Sequence, residues 1–372
     1  MKEENTEKKP RLTTRVEILF GRVFLIILSV SIALFVCEAI SRKFFIARTA
    51  IEIKFPAEHY RYPRPYSMFA GEPGSKYINA LGYTGEIPAM PKPKGEYRIF
   101  FLGGSTVVSG DPSLPKLVQN ILKQKGFLNI KIYNFGIPSS VSGQELARLV
   151  FELPDLAPDM IVMYNGGNDI MHPLSWDPRP GYPFNFIVYE NHPLITKKLN
   201  NYPAAALFAY GSNLMRYFFQ DYFMKKFIPL DEARKECNYM SPGWKDKIAE
   251  IYVNNIIKAG KISKAFGIEF IAFFQPLLHA KDPEKFSEEE QKLFRSEDND
   301  RFYREVLELT VGKIKLAANK NNTEFVDLSG IYKNNSAWIF TDPIHTRQDA
   351  KNLPAQKIAD KIVAKINKSA DN

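Results

Sequence analysis

The sequence predicts an α/β protein built on a parallel β-sheet that helices cover on both faces. Short apolar runs rich in Ile, Phe, Val and Tyr alternate with segments of helical periodicity over the last three quarters of the chain. Apolar strands that alternate with helices are typical of a buried parallel sheet. With 372 residues, 45% of them hydrophobic, the chain is long enough for one large domain that carries an insertion.

Five strands and four helices are expected in this region. The strands are predicted at 97–102, 129–136, 157–169, 268–276 and 323–329, and the helices at 114–125, 142–153, 247–267 and 347–366. Ser142 and Glu145 have the spacing of a capping box at the start of the second helix.

Three of the predicted strands end in glycine beside a polar residue, in the stretches GGST, NFG and GGND. Ligands of parallel sheets collect at the carboxyl ends of the strands. Glycine also allows a backbone N–H to approach a ligand closely. This edge of the sheet is therefore the predicted site.

The strongest hydropathy signal is a segment near the N-terminus. No charged residue occurs between Val23 and Cys37, and no small-residue cleavage site follows. We predict an uncleaved transmembrane anchor at 18–40, with a cleaved signal peptide as the alternative. Basic residues are more numerous before the segment than after it, which predicts that 1–17 are cytoplasmic and that the rest of the chain is periplasmic or extracellular.

The remaining segments divide into a lead-in and a domain. Residues 41–95 are rich in Pro, Tyr and Gly and are expected to be an extended lead-in that packs on the domain at 96–372. About 170–246 are too long for a simple connection and are predicted to be an insertion that forms a wall or lid. A second insertion, at 279–300, is charged and expected to be partly helical.

Charge and cysteine content narrow the classes of partner. The net charge of +9 is spread along the chain, and no nucleic-acid-binding motif is present, so no nucleic-acid partner is expected. A basic surface also fits an anionic membrane or an acidic polymer. Cys37 and Cys237 are the two cysteines, and they are expected to form no disulfide.

A serine nucleophile needs a base, and the base needs an orienting carboxylate. Ser105 follows the first strand, and among the five histidines His345 has Asp342 three residues before it, close enough for a hydrogen bond. An oxyanion also needs donors, which the N–H groups of Ser105 and Gly136 and the side-chain amide of Asn168 would supply.

Each of these residues has a structural alternative. Ser105 could be a helix N-cap, Asn168 a turn residue, Gly136 a tight turn, and Asp342 with His345 a surface cap pair. Loop packing is expected for His172 and His192, with a substrate contact as the alternative, and His279 is expected to be structural or to lie at the rim of the site.

Four motifs resemble blocks of the SGNH (GDSL-like) hydrolases. FLGGSTVVSG resembles the first block with GGST in place of GDSL, NFGIPS the second, YNGGND the third and TDPIHT the fifth, in the family's order. The resemblance implies a flavodoxin-like three-layer α/β/α fold. It also implies that Ser105 is the nucleophile, His345 the general base and Asp342 the orienting acid. The oxyanion donors would be Ser105, Gly136 and Asn168.

The resemblance implies esterase, lipase, acyltransferase or carbohydrate deacetylase activity, with no metal or organic cofactor. Gly104 stands where the family has an aspartate that is not the catalytic acid. We therefore expect a membrane-anchored serine esterase that acts outside the cytoplasm on a carbohydrate or lipid ester. The alternatives are an O-acyltransferase for cell-envelope polysaccharide and a non-catalytic anchored binding protein.

Overall fold

The computed structural model describes residues 12–44, 62–191, 211–215, 217–218, 228–293 and 296–370. The chain divides into two compact units, one of 54–187 with 229–372 and one of 1–53 with 188–228. His192 and the greater part of 192–227 lie outside the described residues.

The larger unit contains the predicted parallel sheet. A short antiparallel hairpin, β1 (Tyr62–Arg64) and β2 (Met68–Ala70), precedes it. The sheet strands are β3 (Tyr97–Gly103), β4 (Ile130–Asn134), β5 (Met160–Asn165), β6 (Glu269–Phe274) and β7 (Phe325–Asp327). Their order is β4-β3-β5-β6-β7 and all neighbours are parallel. The predicted parallel sheet is confirmed, and this is a doubly wound strand order.

Eleven α-helices occur among the described residues. They are α1 (Leu12–Phe44), α2 (Ser105–Val108), α3 (Leu114–Gln124), α4 (Ser142–Phe151), α5 (Gly167–Ser175), α6 (Phe186–Glu190), α7 (Leu230–Glu236), α8 (Pro242–Ala265), α9 (Glu288–Gln291), α10 (Glu297–Lys320) and α11 (Asn352–Ala370).

Helices cover both faces of the sheet, as predicted. Side chains of β3 alternate, so that Ile99 and Phe101 pack in a core with α3 and α11. Phe100 and Leu102 pack in a second core with α4, α8 and α10. All four β3 side chains are fully buried, and burial of each such side chain contributes about 1.5–3 kcal/mol.

No element is predicted at 301–322, yet α10 runs through this region for 24 residues. The charged residues on the exposed face of this helix lower the apolar content of the segment, but the helical periodicity is present in the sequence. Tyr303, Val306, Thr310 and Ile314 recur at three- and four-residue spacing, and all are buried. The Ser296 hydroxyl caps the start of this helix by accepting from the Asn299 N–H.

The expected capping box of Ser142 and Glu145 is wrong. Ser142 is the first residue of α4, and its hydroxyl donates to Asp169 instead. Gln144 supplies the capping side chain instead, because its Oε1 accepts from the Val141 N–H at 3.1 Å. Glu145 is fully buried and turns inward, because two polar groups of the core bind its carboxyl group.

The described part of the lead-in is more regular than expected. Besides the hairpin, it contributes Phe69, Ile78 and Tyr83 to the core that contains Phe100. The Tyr83 ring packs edge-on against Phe135 with centroids 4.6 Å apart. This segment therefore stabilises the same core as the sheet.

In the smaller unit, α1 is long and apolar enough to cross a membrane. Its large hydrophobic side chains from Val16 to Ile40 are exposed. At its C-terminal part, Glu38 accepts hydrogen bonds from the Ser212 hydroxyl and the Asn213 N–H, both at 2.7 Å. A membrane anchor and a signal sequence share the apolar character of this helix.

Candidate active site

The predicted site residues lie at the carboxyl end of the sheet. Ser105 begins α2 directly after β3, and Asn168 lies in the first turn of α5 after β5. Gly166, between β5 and α5, has φ +103°. A Cβ there would also lie 2.5 Å from the Phe274 ring, so the turn requires glycine. Asp342 and His345 lie in the loop that precedes α11.

The structure brings Ser105, His345 and Asp342 into one hydrogen-bonded row. Ser105 Oγ lies 2.6 Å from His345 Nε2. His345 Nδ1 lies 2.6 Å from Asp342 Oδ2. Because the carboxylate accepts from Nδ1–H, Nε2 is left without a proton and accepts from the serine hydroxyl.

Asp342 is fixed by its own loop. Its Oδ1 accepts from the backbone N–H groups of Ile344 and His345, each at 2.8 Å. Burial acts to raise the pKa of Asp342, but hydrogen bonds and the charge interaction with His345 outweigh it and lower the pKa. The carboxylate is therefore ionised near neutral pH and holds the imidazole in a single orientation.

Asn168 lies beside the backbone that precedes Ser105. Its side-chain Nδ2 donates to the Ser140 carbonyl oxygen at 2.8 Å, which orients the amide. A Cβ on Gly104 would lie 2.5 Å from this Nδ2. Glycine at 104 therefore allows the amide to approach the backbone next to Ser105, and the amide's second N–H remains for another acceptor.

Gly136 also lies against α2, the helix that Ser105 begins. A Cβ there would lie 2.8 Å from Val108 and 3.0 Å from Val107 of α2. Its N–H donates to Asn134 Oδ1 at 3.0 Å. The packing alone explains a glycine here, and the N–H reaches an oxyanion only by sharing or exchanging its bond to Asn134.

Gln275 has no predicted role, yet its amide lies beside two of the site segments, those of Ser105 and Asn168. Its Oε1 accepts from the Thr106 hydroxyl at 3.3 Å. Its Nε2 lies 2.7 Å from where a Gly167 Cβ would be, and Ile344 meets the same position at 2.9 Å. Thr106 and Gly167 adjoin the predicted site residues Ser105 and Asn168 in the sequence. The position of Gln275 directly after β6 was the available signal.

The second insertion binds the backbone just before the loop of Asp342 and His345. Glu290 Oε1 accepts from the N–H groups of Ile339 and Phe340 at 2.9 and 3.0 Å. The Lys281 Nζ lies 2.5 Å from Glu290 Oε2, and both side chains are fully buried. Lys281 also donates to the Ala337 carbonyl at 2.9 Å. This ion pair therefore fixes the backbone segment that leads into Asp342.

The other described histidines are buried. Burial lowers the pKa of His172 to about 3, and its ring packs edge-on against Phe184. Burial, with a smaller effect of Arg304, lowers the pKa of His279 to about 3, and its Nε2 lies 3.1 Å from Asp300 Oδ1. Both environments fit the expected packing roles, and neither histidine is hydrogen-bonded to Ser105.

No family model and no curated protein sequence matches the chain. Among solved structures, an acetyl xylan esterase shares 14% identity over 71% of this chain and 99% of its own, with a TM-score of 0.41. A GDSL-like lipase from Bacteroides thetaiotaomicron shares 14% identity over 75% and 92%, with a TM-score of 0.39. A psychrotrophic esterase from Pseudoalteromonas sp. shares 14% over 73% and 100%, with a TM-score of 0.40. Each of these structural likenesses is partial, with a TM-score below 0.5.

Proposed function

We propose that the protein is a serine esterase of the SGNH type that cleaves an acyl ester through an acyl-enzyme on Ser105. The observation that carries this proposal is the hydrogen-bonded row from Ser105 through His345 to Asp342, with both contacts at 2.6 Å. This row supports the proposal, because acyl transfer by a serine requires a nucleophile, a base and an orienting acid within hydrogen-bonding distance of one another.

In the first step Ser105 Oγ attacks the ester carbonyl carbon while His345 Nε2 takes the hydroxyl proton. The tetrahedral intermediate then collapses, the bond to the alcohol oxygen breaks, and His345 returns the proton to that leaving alcohol. In the second step His345 takes a proton from water, the resulting hydroxide attacks the acyl-enzyme, and Ser105 leaves with the proton. Asp342 stabilises the imidazolium in both steps.

The oxyanion would be stabilised by the Ser105 N–H and by the second N–H of the Asn168 amide. Ser105 begins α2, so no carbonyl one turn earlier in that helix can accept from its N–H. Gly136 would be the third donor by exchanging its bond to Asn134 for one to the oxyanion. Preorganised donors of this kind usually supply the largest part of acyl-transfer catalysis.

We propose that α1 anchors the enzyme in a membrane, with 1–17 in the cytoplasm and the catalytic unit in the periplasm or outside the cell. The apolar, exposed side chains of α1 support the anchor. The excess of basic residues on its N-terminal side supports the orientation. The substrate would be a carbohydrate or lipid ester close to that membrane.

The test is hydrolysis of p-nitrophenyl acetate and longer esters by the detergent-solubilised chain, beside covalent labelling by a fluorophosphonate. We expect turnover and labelling in the wild type and neither in Ser105→Ala or His345→Ala. The profile over ester length gives the size of the acyl group that the site accepts.

Two other outcomes have a defined meaning. Labelling of Ser105 without turnover, followed by turnover when a sugar acceptor is added, would identify an O-acyltransferase for envelope polysaccharide. A folded wild-type chain with neither labelling nor turnover would contradict the enzyme and leave a non-catalytic anchored binding protein.

A further inference from the structure

A buried hydrogen-bond chain lies behind the Asn168 amide. Its first member is Ser140, whose carbonyl accepts from Asn168 Nδ2 at 2.8 Å. The Ser140 hydroxyl lies 3.0 Å from the carbonyl oxygen of Gly103, the last residue of β3. Ser140 is 1% exposed. It therefore links the strand that leads to Ser105 with the amide proposed to bind the oxyanion.

The second member is the fully buried Glu145 of α4. Its Oε1 lies 3.1 Å from Ser140 Oγ. Its Oε2 accepts from Asn165 Nδ2. The Tyr252 hydroxyl donates to Asn165 Oδ1 at 3.0 Å, so the Asn165 amide must present its NH₂ group to Glu145. Oε2 is thus an acceptor, and Oε1 is the oxygen that faces the serine hydroxyl.

The hydrogens of this chain can be counted. The Ser140 hydroxyl has one hydrogen, and the Gly103 carbonyl can only accept. Oε1 of an ionised Glu145 can also only accept, so one hydrogen would have to serve two acceptors at 3.0 and 3.1 Å. Both contacts are satisfied when Ser140 donates to Gly103 and a protonated Oε1 donates to Ser140 Oγ. We infer that Glu145 is a neutral carboxylic acid that donates to Ser140 Oγ and is a positioning residue for the Asn168 amide. This inference rests on the proposed esterase function.

The charged and titratable groups around Glu145 agree with this state. Arg148 of α4, Asp169 of α5 and Tyr252 of α8 interact with it electrostatically. Asp169 accepts from both the hydroxyl and the N–H of Ser142, as an ionised carboxylate does. With one buried guanidinium and two buried carboxyl groups, a proton on Glu145 leaves the cluster neutral.

Burial raises the pKa of Glu145 from 4.5 to about 7 against the opposing effect of Arg148, and the charge of Asp169 adds to the rise. Burial also raises the pKa of Asp169, to about 6, which is the lower of the two. Because the folded pKa of Glu145 lies above its unfolded value, its contribution to stability is complete below pH 4.5 and is lost as the pH rises through about 7.

The experiment compares the detergent-solubilised wild type with Glu145→Gln, which keeps one donor and one acceptor but cannot ionise. Glu152→Gln is the matched control, because Glu152 ends the same helix and binds Arg64 and Tyr83 instead. We expect the kcat of Glu145→Gln to stay within about twofold of the wild type at acidic pH, where the acid is neutral in both. The wild-type kcat should fall as the pH rises through about 7, with KM unchanged. Glu145→Gln should lack this fall, and Glu152→Gln should retain it.

A folded Glu145→Gln that loses more than about tenfold in kcat at acidic pH would overturn the inference, because a carboxylate would then be required. Identical pH profiles for the wild type and Glu145→Gln would overturn it as well. The free energy of unfolding, measured as a function of pH in a Ser105→Ala background, reports the protonation state of Glu145 without an activity assay. Failure of the proposed function would appear separately, as absent fluorophosphonate labelling of the wild type.

Discussion

The hydrogen-bonded row of Ser105, His345 and Asp342 joins distant parts of the chain, since Ser105 and His345 are separated by 240 positions. Each is oriented by its immediate neighbours. Asp342 accepts two backbone N–H groups of its own loop and the imidazole Nδ1–H. Asn168 is oriented by a single carbonyl, that of Ser140. These contacts position the side chains without a ligand, and preorganisation of this kind would lower the activation barrier of the proposed reaction.

Replacement of Asn168 by alanine should lower kcat by about 100- to 1,000-fold with little change in KM, because the amide acts on the oxyanion and not on the ground-state ester. Steady-state kinetics with p-nitrophenyl acetate measures both constants. Fluorophosphonate labelling of Ser105 should slow in parallel. A large rise in KM at unchanged kcat would instead assign Asn168 to substrate binding.

Replacement of Gln275 by leucine should lower kcat by about tenfold or more, because its amide binds Thr106 and lies close to Gly167, the neighbours of Ser105 and Asn168. The control is Gln119→Leu, which also loses an amide, one that donates to the Ile130 carbonyl on β4. We expect the control to keep the wild-type kcat. Similar losses of kcat and of thermal stability in both variants would assign Gln275 to packing alone.

Among the elements, the second insertion is the one whose role the structure changes most. The sequence identifies 279–300 only as charged and partly helical. In the structure, its buried Lys281–Glu290 pair holds the backbone at Ile339 and Phe340, just before the loop of Asp342 and His345. The insertion therefore supports the loop that carries the proposed site residues Asp342 and His345.

Replacement of Glu290 by glutamine should destabilise the protein by about 3–5 kcal/mol, because the buried Lys281 ammonium is left without its counterion. The control is Glu305→Gln, which removes the partner of Lys245 at a partly exposed pair and should cost about 1 kcal/mol or less. Chemical denaturation measures both changes. Equal effects would contradict a special role for the buried pair.

At the scale of the whole molecule, the chain combines a doubly wound α/β unit with a unit that contains the apolar helix α1. With the proposed activity and the proposed anchor, the protein would act on substrates near a membrane surface. The basic net charge fits such a location, because anionic lipids and acidic polymers attract it.

We expect the chain to sediment with membranes with α1 retained, and a variant that lacks residues 1–44 to be recovered in the soluble fraction. The reason is that about 20 consecutive apolar residues are stable within a bilayer core. Membrane fractionation and mass spectrometry of the N-terminus measure this. A soluble mature chain that begins after α1 would identify a cleaved signal sequence instead.

By itself the sequence determined the α/β class, the five sheet strands and the residues that carry the proposed chemistry. These follow from local patterns, because the residues of each apolar run, each glycine turn and the Asp342–His345 pair lie within a few positions of one another. It did not reveal α10, the roles of Gln275 and Glu290, or the protonated state inferred for Glu145. Those depend on groups brought together from distant segments, and burial and hydrogen-bond partners are set only when the chain has folded.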